Sequence, residues 1–282
     1  MKALKKVSQY LTAVPLMIVA LMFMFVPVVR LVVDSFQEYG TGRFVLSNWK
    51  AIFTEQIYIS STLNSLKISF IATIVGMVIS FLLAWAIKEV SKKRANRYLA
   101  MINMISNFAG LPLAYAFMTI LGNAGFIVLL CEVFGIELTK YFNLYGLEGL
   151  TLLGIYFQIP LGTLMLIPAL ESIRKEWKES AELLNADSFQ FWIRIGIPVM
   201  IPSLCDTFSL LFANVLTAYA TFVLLVADNM PLLPIKITYI FTGETTGLQN
   251  IGSALGVWMM LLVVGVILLC NLIKKYTYKG GR

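Results

Sequence analysis

Six runs of apolar residues, each about long enough to cross a bilayer, leave this chain few ways to fold. They lie at about 11–33, 63–87, 99–121, 149–170, 196–227 and 253–272, and the charged residues collect between them. Inside hydrocarbon there is no water to bond a free amide or carbonyl, so a spanning segment must satisfy its own backbone, which a helix does over roughly 20 residues. Composition agrees, with 59% of the 282 residues hydrophobic and 13% charged and a mean hydropathy of +0.83. A soluble domain is only roughly half apolar. The expected fold class is an all-α integral membrane protein, a single domain over 1–282 with six transmembrane helices and the lipid bilayer as its surroundings. A cleaved signal peptide would carry only about 7 to 15 apolar residues after its basic start. The run at 11–33 is longer, and is read as an uncleaved first span.

The net charge of +7 is unevenly spread. With the N-terminus inside, the cytoplasmic segments hold Lys2, Lys5, Lys6, Lys88, Lys92, Lys93, Arg94, Arg97, Arg174, Lys175, Lys178, Arg194, Lys274, Lys275, Lys279 and Arg282, 16 of the 22 basic residues. The external loops hold Arg43, Lys50, Lys140 and Lys236, while Arg30 and Lys67 lie toward the outer ends of their spans and can snorkel. This bias predicts both termini, and a polar loop at about 171–195, in the cytoplasm. It describes a membrane face and not a nucleic-acid site. Cys131, Cys205 and Cys270 are scattered through apolar sequence and read as small hydrophobes, with no disulfide or metal-site spacing. Histidine is absent, which removes the commonest metal ligand and the usual general base. No GxxxxGK[ST] phosphate loop occurs, so the chain has no ATPase motif of its own, and no nucleophile with a base and oxyanion donors stands out. The chain is expected to be no enzyme and to bind no cofactor or metal.

Between the runs, 34–62 and 228–252 read as external loops, and 122–135 as a short lateral helix too brief to cross. The third run holds Asn103, Asn107, Gly110 and Pro112. Polar residues and helix breakers persist at membrane depth where protein or a wet cavity covers them, so this run is expected to face the protein interior. Asn107, Tyr115, Gln158, Asp206 and Asn214 are the candidates for lining a path through the membrane. Each also has a structural reading, as hydrogen-bond glue between helices. For Asp206 that reading is a pairing with a basic residue such as Arg194 near the inner surface.

The longest strongly polar stretch is 179–202, ESAELLNADSFQFWIRIGIPVMIP. Trp177, Ala181 and Leu184 recur at i, i+4 and i+7 with Lys178, Glu179 and Glu182 opposite, which predicts an amphipathic helix. Asn185, a residue that tolerates a left-handed backbone, can end it. Asp187 or Ser188 can then cap a second helix carrying Phe189, Phe191, Trp192 and Ile195. Amphipathicity alone is equally met by an ordinary interfacial loop.

The spacing of Glu179, Ala181, Asn185, Ala186, Ile197 and Pro198 resembles the signature of inner-membrane permeases of binding-protein-dependent ATP-binding-cassette (ABC) importers. That signature runs Glu-Ala-Ala, three residues, Gly, nine residues, Ile, one residue, Leu-Pro. Here Ser180 replaces the second position, Asn185 the glycine and Ile197 the leucine before Pro198. Span number and loop order resemble the six-span permeases over nearly the whole chain. The resemblance implies that the loop is a coupling element docking in a cleft of an ATPase, through Glu179, Ser180, Ala181, Leu184, Asn185, Ala186 and Pro198. It further implies two ABC ATPase subunits holding the ATP, a second permease subunit, homologous or identical, and an extracytoplasmic solute-binding protein. The location would be a bacterial plasma (inner) membrane and the mechanism alternating access. Within the superfamily the chain looks most like spermidine/putrescine-type permeases, whose relatives also move ferric iron, phosphonates, thiamine or sulfate. Two rival classes are a membrane anchor or receptor that transports nothing, which predicts no ATPase partner, and an ion-driven secondary transporter. The latter should show two corresponding broken-helix halves, which the sequence lacks.

Overall fold

The computed structural model describes residues 14–15, 17–19, 21–226, 230–243 and 247–279, with side chains to position 277. Lys2, Lys5, Lys6, Arg282 and Asp228, and the start of the first span at 11–13, lie outside the described residues. The described secondary structure is helical apart from one antiparallel bridge, Gln37 with Phe44. A π-helical turn, Leu21–Phe25, leads into α1 (Val26–Ser35), followed by α2 (Ser47–Thr54), α3 (Gln56–Glu89), α4 (Lys92–Ser106), α5 (Leu111–Leu121) and α6 (Phe126–Val133). Then come α7 (Leu147–Glu171), α8 (Lys175–Leu183), α9 (Ser188–Phe191), a second π-helical turn (Trp192–Gly196), α10 (Ile197–Leu216), α11 (Tyr219–Val226), α12 (Leu233–Phe241) and α13 (Gln249–Lys279).

Six helical runs among the described residues are long and apolar enough to cross a membrane: Met17–Ser35, Gln56–Glu89, Leu111–Val133, Leu147–Glu171, Ser188–Leu216 and Gln249–Thr277. The chain is therefore a multi-pass, all-α membrane protein. Some boundaries differ from the sequence expectation. The stretch 99–121 is two helices, because the backbone turns at Gly110 (φ 71°), a left-handed value that costs glycine little. That turn is tied down where the Gly110 amide donates to Thr221 Oγ1 at 3.2 Å. The third crossing run starts after the turn and takes in the short helix α6. The fifth run begins at Ser188 and stops at Leu216, so Tyr219–Val226 forms a separate helix, α11, and Ala227 lies outside the described residues. Both expected loops contain helices, α2 in one and α12 in the other.

The contacts divide the chain into two compact units, Met1–Ile59 with Lys236–Met260, and Ser60–Ile235 with Leu261–Arg282. In the first, two asparagines collect the carbonyls left open where α1 ends. Asn48 Nδ2 donates to Ser35 O (3.1 Å) and Gln37 O (2.8 Å), and Asn250 Nδ2 to Asp34 O (3.0 Å) and Gln37 O (2.7 Å). A helix end must find such partners when it is not wet. Phe36 stacks between Phe44 and Trp49 beside this knot, at 5.7 and 5.6 Å.

The second unit is organised by the approach of α3 to α7. Ala72, Gly76 and Ser80 recur every four residues on α3, as do Gly154, Gln158 and Gly162 on α7, so each set forms one smooth stripe. A Cβ on Gly76 would lie 2.9 Å from Gln158 Cβ, one on Gly154 3.0 Å from Ala72, and one on Gly162 2.5 Å from Ser80 Oγ. Lipid tails are as apolar as leucine, so helices associate in a membrane through close packing and hydrogen bonds, and small residues allow both. The bonds are present: Ser80 Oγ donates to Ile159 O at 3.0 Å, fully buried Gln158 donates to Leu211 O on α10, and Asn214 Nδ2 donates to Gln158 Oε1 at 3.2 Å.

Gly162→Val should overpack this seam and lower stability by about 1–3 kcal/mol. The same change at Gly265, where a Cβ would meet nothing within 4 Å, should not. Thermal unfolding midpoints of the two variants in detergent provide the check.

Candidate functional site: a polar corner between two spans

The corner starts where α7 ends. α8 lays Ala181 into a buried cluster with Ala84, Leu166, Leu170, Phe191 and Met200, and Trp177 and Ala186 pack against its edge. Leu184, expected on the buried stripe, is instead 83% exposed, beside Leu183 at 86% and Phe189 at 72%. The helix stops before position i+7 can come round, and Ala186 and Phe191 fill that place on the inner side. The stop is a left-handed cap, as the sequence predicts. Asn185 has φ 58°, the one positive value at a non-glycine among the described residues. Its amide donates to Glu182 O at 3.0 Å and the Ala186 amide donates to Ala181 O at 3.0 Å, the paired 5→2 and 6→1 bonds of a Schellman motif. Asp187 then caps the next helix, its Oδ1 accepting from the Gln190 amide at 2.7 Å.

The outer side of the corner carries unpaired charge. Lys178, Glu179 and Glu182 are exposed, and neither acid has an ion-pair partner among the described residues. Ser180, also exposed, turns its hydroxyl back to Glu176 O at 2.7 Å. The corner is thus a rigid knob with a triplet of bare hydrophobes at its tip and two free carboxylates along its flank. Leu183 and Phe189 are not legible as surface residues, because an apolar side chain at a helix end is exposed or buried according to where the helix stops and what packs beside it.

From Ser188 the corner runs into the fifth span without a break. Pro198 has no amide to return to Arg194 O, and the strain of a proline inside a helix is relieved by widening the turn before it. The Ile197 amide reaches back five residues to Trp192 O. Pro198 is half-buried at the start of α10 and so acts on helix geometry, with little surface to offer a partner.

The five intramembrane candidates do not form one cluster by hydrogen bonding. Gln158 and Asn214 bond each other and act as glue across α7 and α10. Asp206 pairs with Lys274 of α13, not with Arg194. Asn107 lies exposed at the end of α4, its Nδ2 donating to Asn103 O at 2.7 Å, and Tyr115 is 58% exposed on α5. Asn103 and Asn107 therefore face outward from this chain, contrary to the expectation for that stretch, because only the Ile102 side of α4 packs inward. Among the described residues no group of three metal-ligating side chains occurs.

Comparison with known proteins gives this geometry its context. The chain is 24% identical over 256 residues to the probable sulfate transport system permease protein cysT of Prototheca wickerhamii, covering 88% of this chain and 94% of that one. It is 26% identical over 180 residues to the thiamine transport system permease protein ThiP of Escherichia coli (strain K12), covering 60% of this chain and 32% of ThiP. The sequence is thus similar, at low identity, to proteins named as transport-system permeases. In fold, this chain superposes on a chain of the bacterial alginate ABC transporter crystallised with its alginate pentasaccharide-bound periplasmic protein. The TM-score is 0.79 at 17% identity, over 98% of this chain and 96% of that one. No protein-family model matches the chain. The sequence relatives are named as permease proteins, none of them as an ATPase.

If the left-handed cap sets the corner, Asn185→Gly should be neutral or mildly stabilising and Asn185→Val should cost about 1–2 kcal/mol, because a β-branched residue reaches this conformation hardest. Hydrogen exchange at the Ala186 amide, held by the cap, should rank Gly at least equal to Asn and both slower than Val.

Proposed function

We propose that this chain is the permease subunit of an ATP-driven importer and that the polar corner is its docking element for an ABC ATPase. One observation carries the reading. A capped, rigid corner between two spans presents Leu183, Leu184 and Phe189 bare to solvent, flanked by the unpaired Glu179 and Glu182. Exposed apolar groups rimmed by charge mark interaction surfaces. The cleft that receives them should be apolar at its floor and basic along one wall, where charge complementarity with the two glutamates would fix register. Glu179, Ser180, Ala181, Leu184, Asn185, Ala186 and Pro198 then divide by task. Glu179, Ser180 and Leu184 offer surface, Asn185 sets the angle, and Ala181, Ala186 and Pro198 anchor the corner to the spans.

In this reading the corner lies on the cytoplasmic side of a bacterial plasma membrane, both termini are cytoplasmic, and the bound ATP belongs to two partner subunits. A second permease, homologous or identical, completes the path, and an extracytoplasmic binding protein delivers solute. ATP binding draws the docked corners together and the spans reopen outward. Assignment to a polyamine rests on the sequence resemblance alone, while relatives named for sulfate and thiamine support only the broader class. Asp206 adds little to a cationic solute, since Lys274 already neutralises it.

Glu179→Lys should abolish solute uptake in cells or release the ATPase during copurification, with the permease still inserted. Unchanged uptake together with unchanged ATPase recovery would exclude this docking surface. For orientation, a cysteine placed at Ser180 should resist an impermeant maleimide added to intact cells and react after the inner face is opened; ready labelling from outside would reverse the topology.

A further inference from the structure

The corner is joined to α7 and α10 by the chain itself, but α3 is reached only through space. Nearly ninety positions of sequence lie between the end of α3 and the start of α8. We propose that Trp192 is the joint that couples the corner to α3, its ring seated where the π-helical turn before Pro198 brings it against Gly196; this deepens the proposed function and rests on it.

Three observations converge on Trp192. Its ring makes edge-to-face contacts with two residues of α3, Phe81 (centroids 6.0 Å, 82°) and Trp85 (6.2 Å, 69°), and with Phe191 (6.0 Å, 76°) at the base of the corner. One residue thus touches the docking element on one side and a span on the other, in the arrangement aromatic quadrupoles favour. The ring also lies against the backbone one turn on. A Cβ at position 196 would fall 2.5 Å from Trp192 Cε3 and 3.0 Å from Cζ3, so only glycine leaves room for it. Finally, Trp192 opens the widened turn, with its own carbonyl accepting the Ile197 amide. Single π-turns inside α-helices recur at functional sites because they re-aim side chains without breaking the helix.

The second route from the corner to α3 is the buried cluster, which is close packing without directional contacts. Ala84 joins the buried cluster under α8, and Lys88 Nζ donates to Leu170 O at 2.6 Å, but that bond ties α3 to α7 and not to the corner. Trp192 is thus the corner side chain that meets α3 through oriented ring contacts, beside the shared packing of Met77, Phe81 and Ala84. The ring belongs to no exposed docking group, so its loss should leave ATPase capture intact while the spans no longer follow.

The experiment uses the full complex in liposomes, with ATPase and binding protein, and compares Trp192→Phe, Trp192→Ala and Gly196→Ala. Solute moved per ATP hydrolysed should fall about tenfold for Trp192→Ala and Gly196→Ala, while Trp192→Phe, which keeps an aromatic edge, stays within about threefold of the unmodified chain. ATPase recovery should be unchanged in all three. A second readout needs no transport: in purified permease lacking Cys131, Cys205 and Cys270, spin labels at Glu176→Cys and Glu89→Cys should give a narrow distance distribution that broadens in Trp192→Ala and Gly196→Ala. The joint is overturned if Trp192→Ala couples normally, if Trp192→Phe fails as badly as Trp192→Ala, or if ATPase recovery falls in step with coupling. If the unmodified chain recruits no ATPase, the importer reading fails instead, and the label distances still decide whether Trp192 holds the corner to α3.

Discussion

The close approach of α3 to α7 is the contact on which the larger unit depends. Among lipid tails, burying one more leucine gains little, so what holds two spans together is surface fit and bonds that hydrocarbon cannot offer. Gly76, Gly154 and Gly162 remove the side chains that would keep the backbones apart, and Ser80 and Gln158 use the space to bond Ile159 O and Leu211 O. The same seam continues through Ala84, Leu166 and Leu170 to the floor on which Ala181 and Phe191 rest. The corner is rigid relative to these spans because it is bedded in the same packed stripe.

Rigidity within the corner comes from its two caps. Backbone bonds at Asn185 and Ala186 close one helix, and the Asp187 carboxylate opens the next, so the chain direction between α8 and α9 is held by hydrogen bonds with no flexible link between. This arrangement lets three apolar side chains stand exposed without collapsing onto the spans. It also suits the proposed task, since a docking element that bent under load would absorb the motion it is meant to pass on. The π-helical turn before Pro198 belongs to the same design, keeping corner and span one continuous helix.

Polar groups along the spans show a second regularity. Asn250 bonds carbonyls near the end of α1, Asn214 bonds Gln158 and Lys274 pairs with Asp206, so these join one element to another, while the hydroxyls of Thr119, Thr151, Thr163 and Ser209 turn back to a carbonyl of their own helix. In a medium without water these bonds are obligatory. They leave Tyr115 and the open side of Asp206 as polar surface that one copy of the chain does not cover.

The sequence alone is enough for the all-α class, the six crossing helices and the capped turn at Asn185, because each rests on short-range physics: a run's length in hydrocarbon, and the few residues that accept a left-handed backbone. It also carried the resemblance to ABC-importer permeases, through spacings that survive substitution at Ser180, Asn185 and Ile197. Packing decided that Leu184 as well as Leu183 faces out, that Asp206 meets Lys274 and not Arg194, and that 99–121 breaks at Gly110. Those outcomes depend on partners far away in sequence. Periodicity names the faces of a helix, but only packing against a particular neighbour decides which face is buried and where the helix must stop.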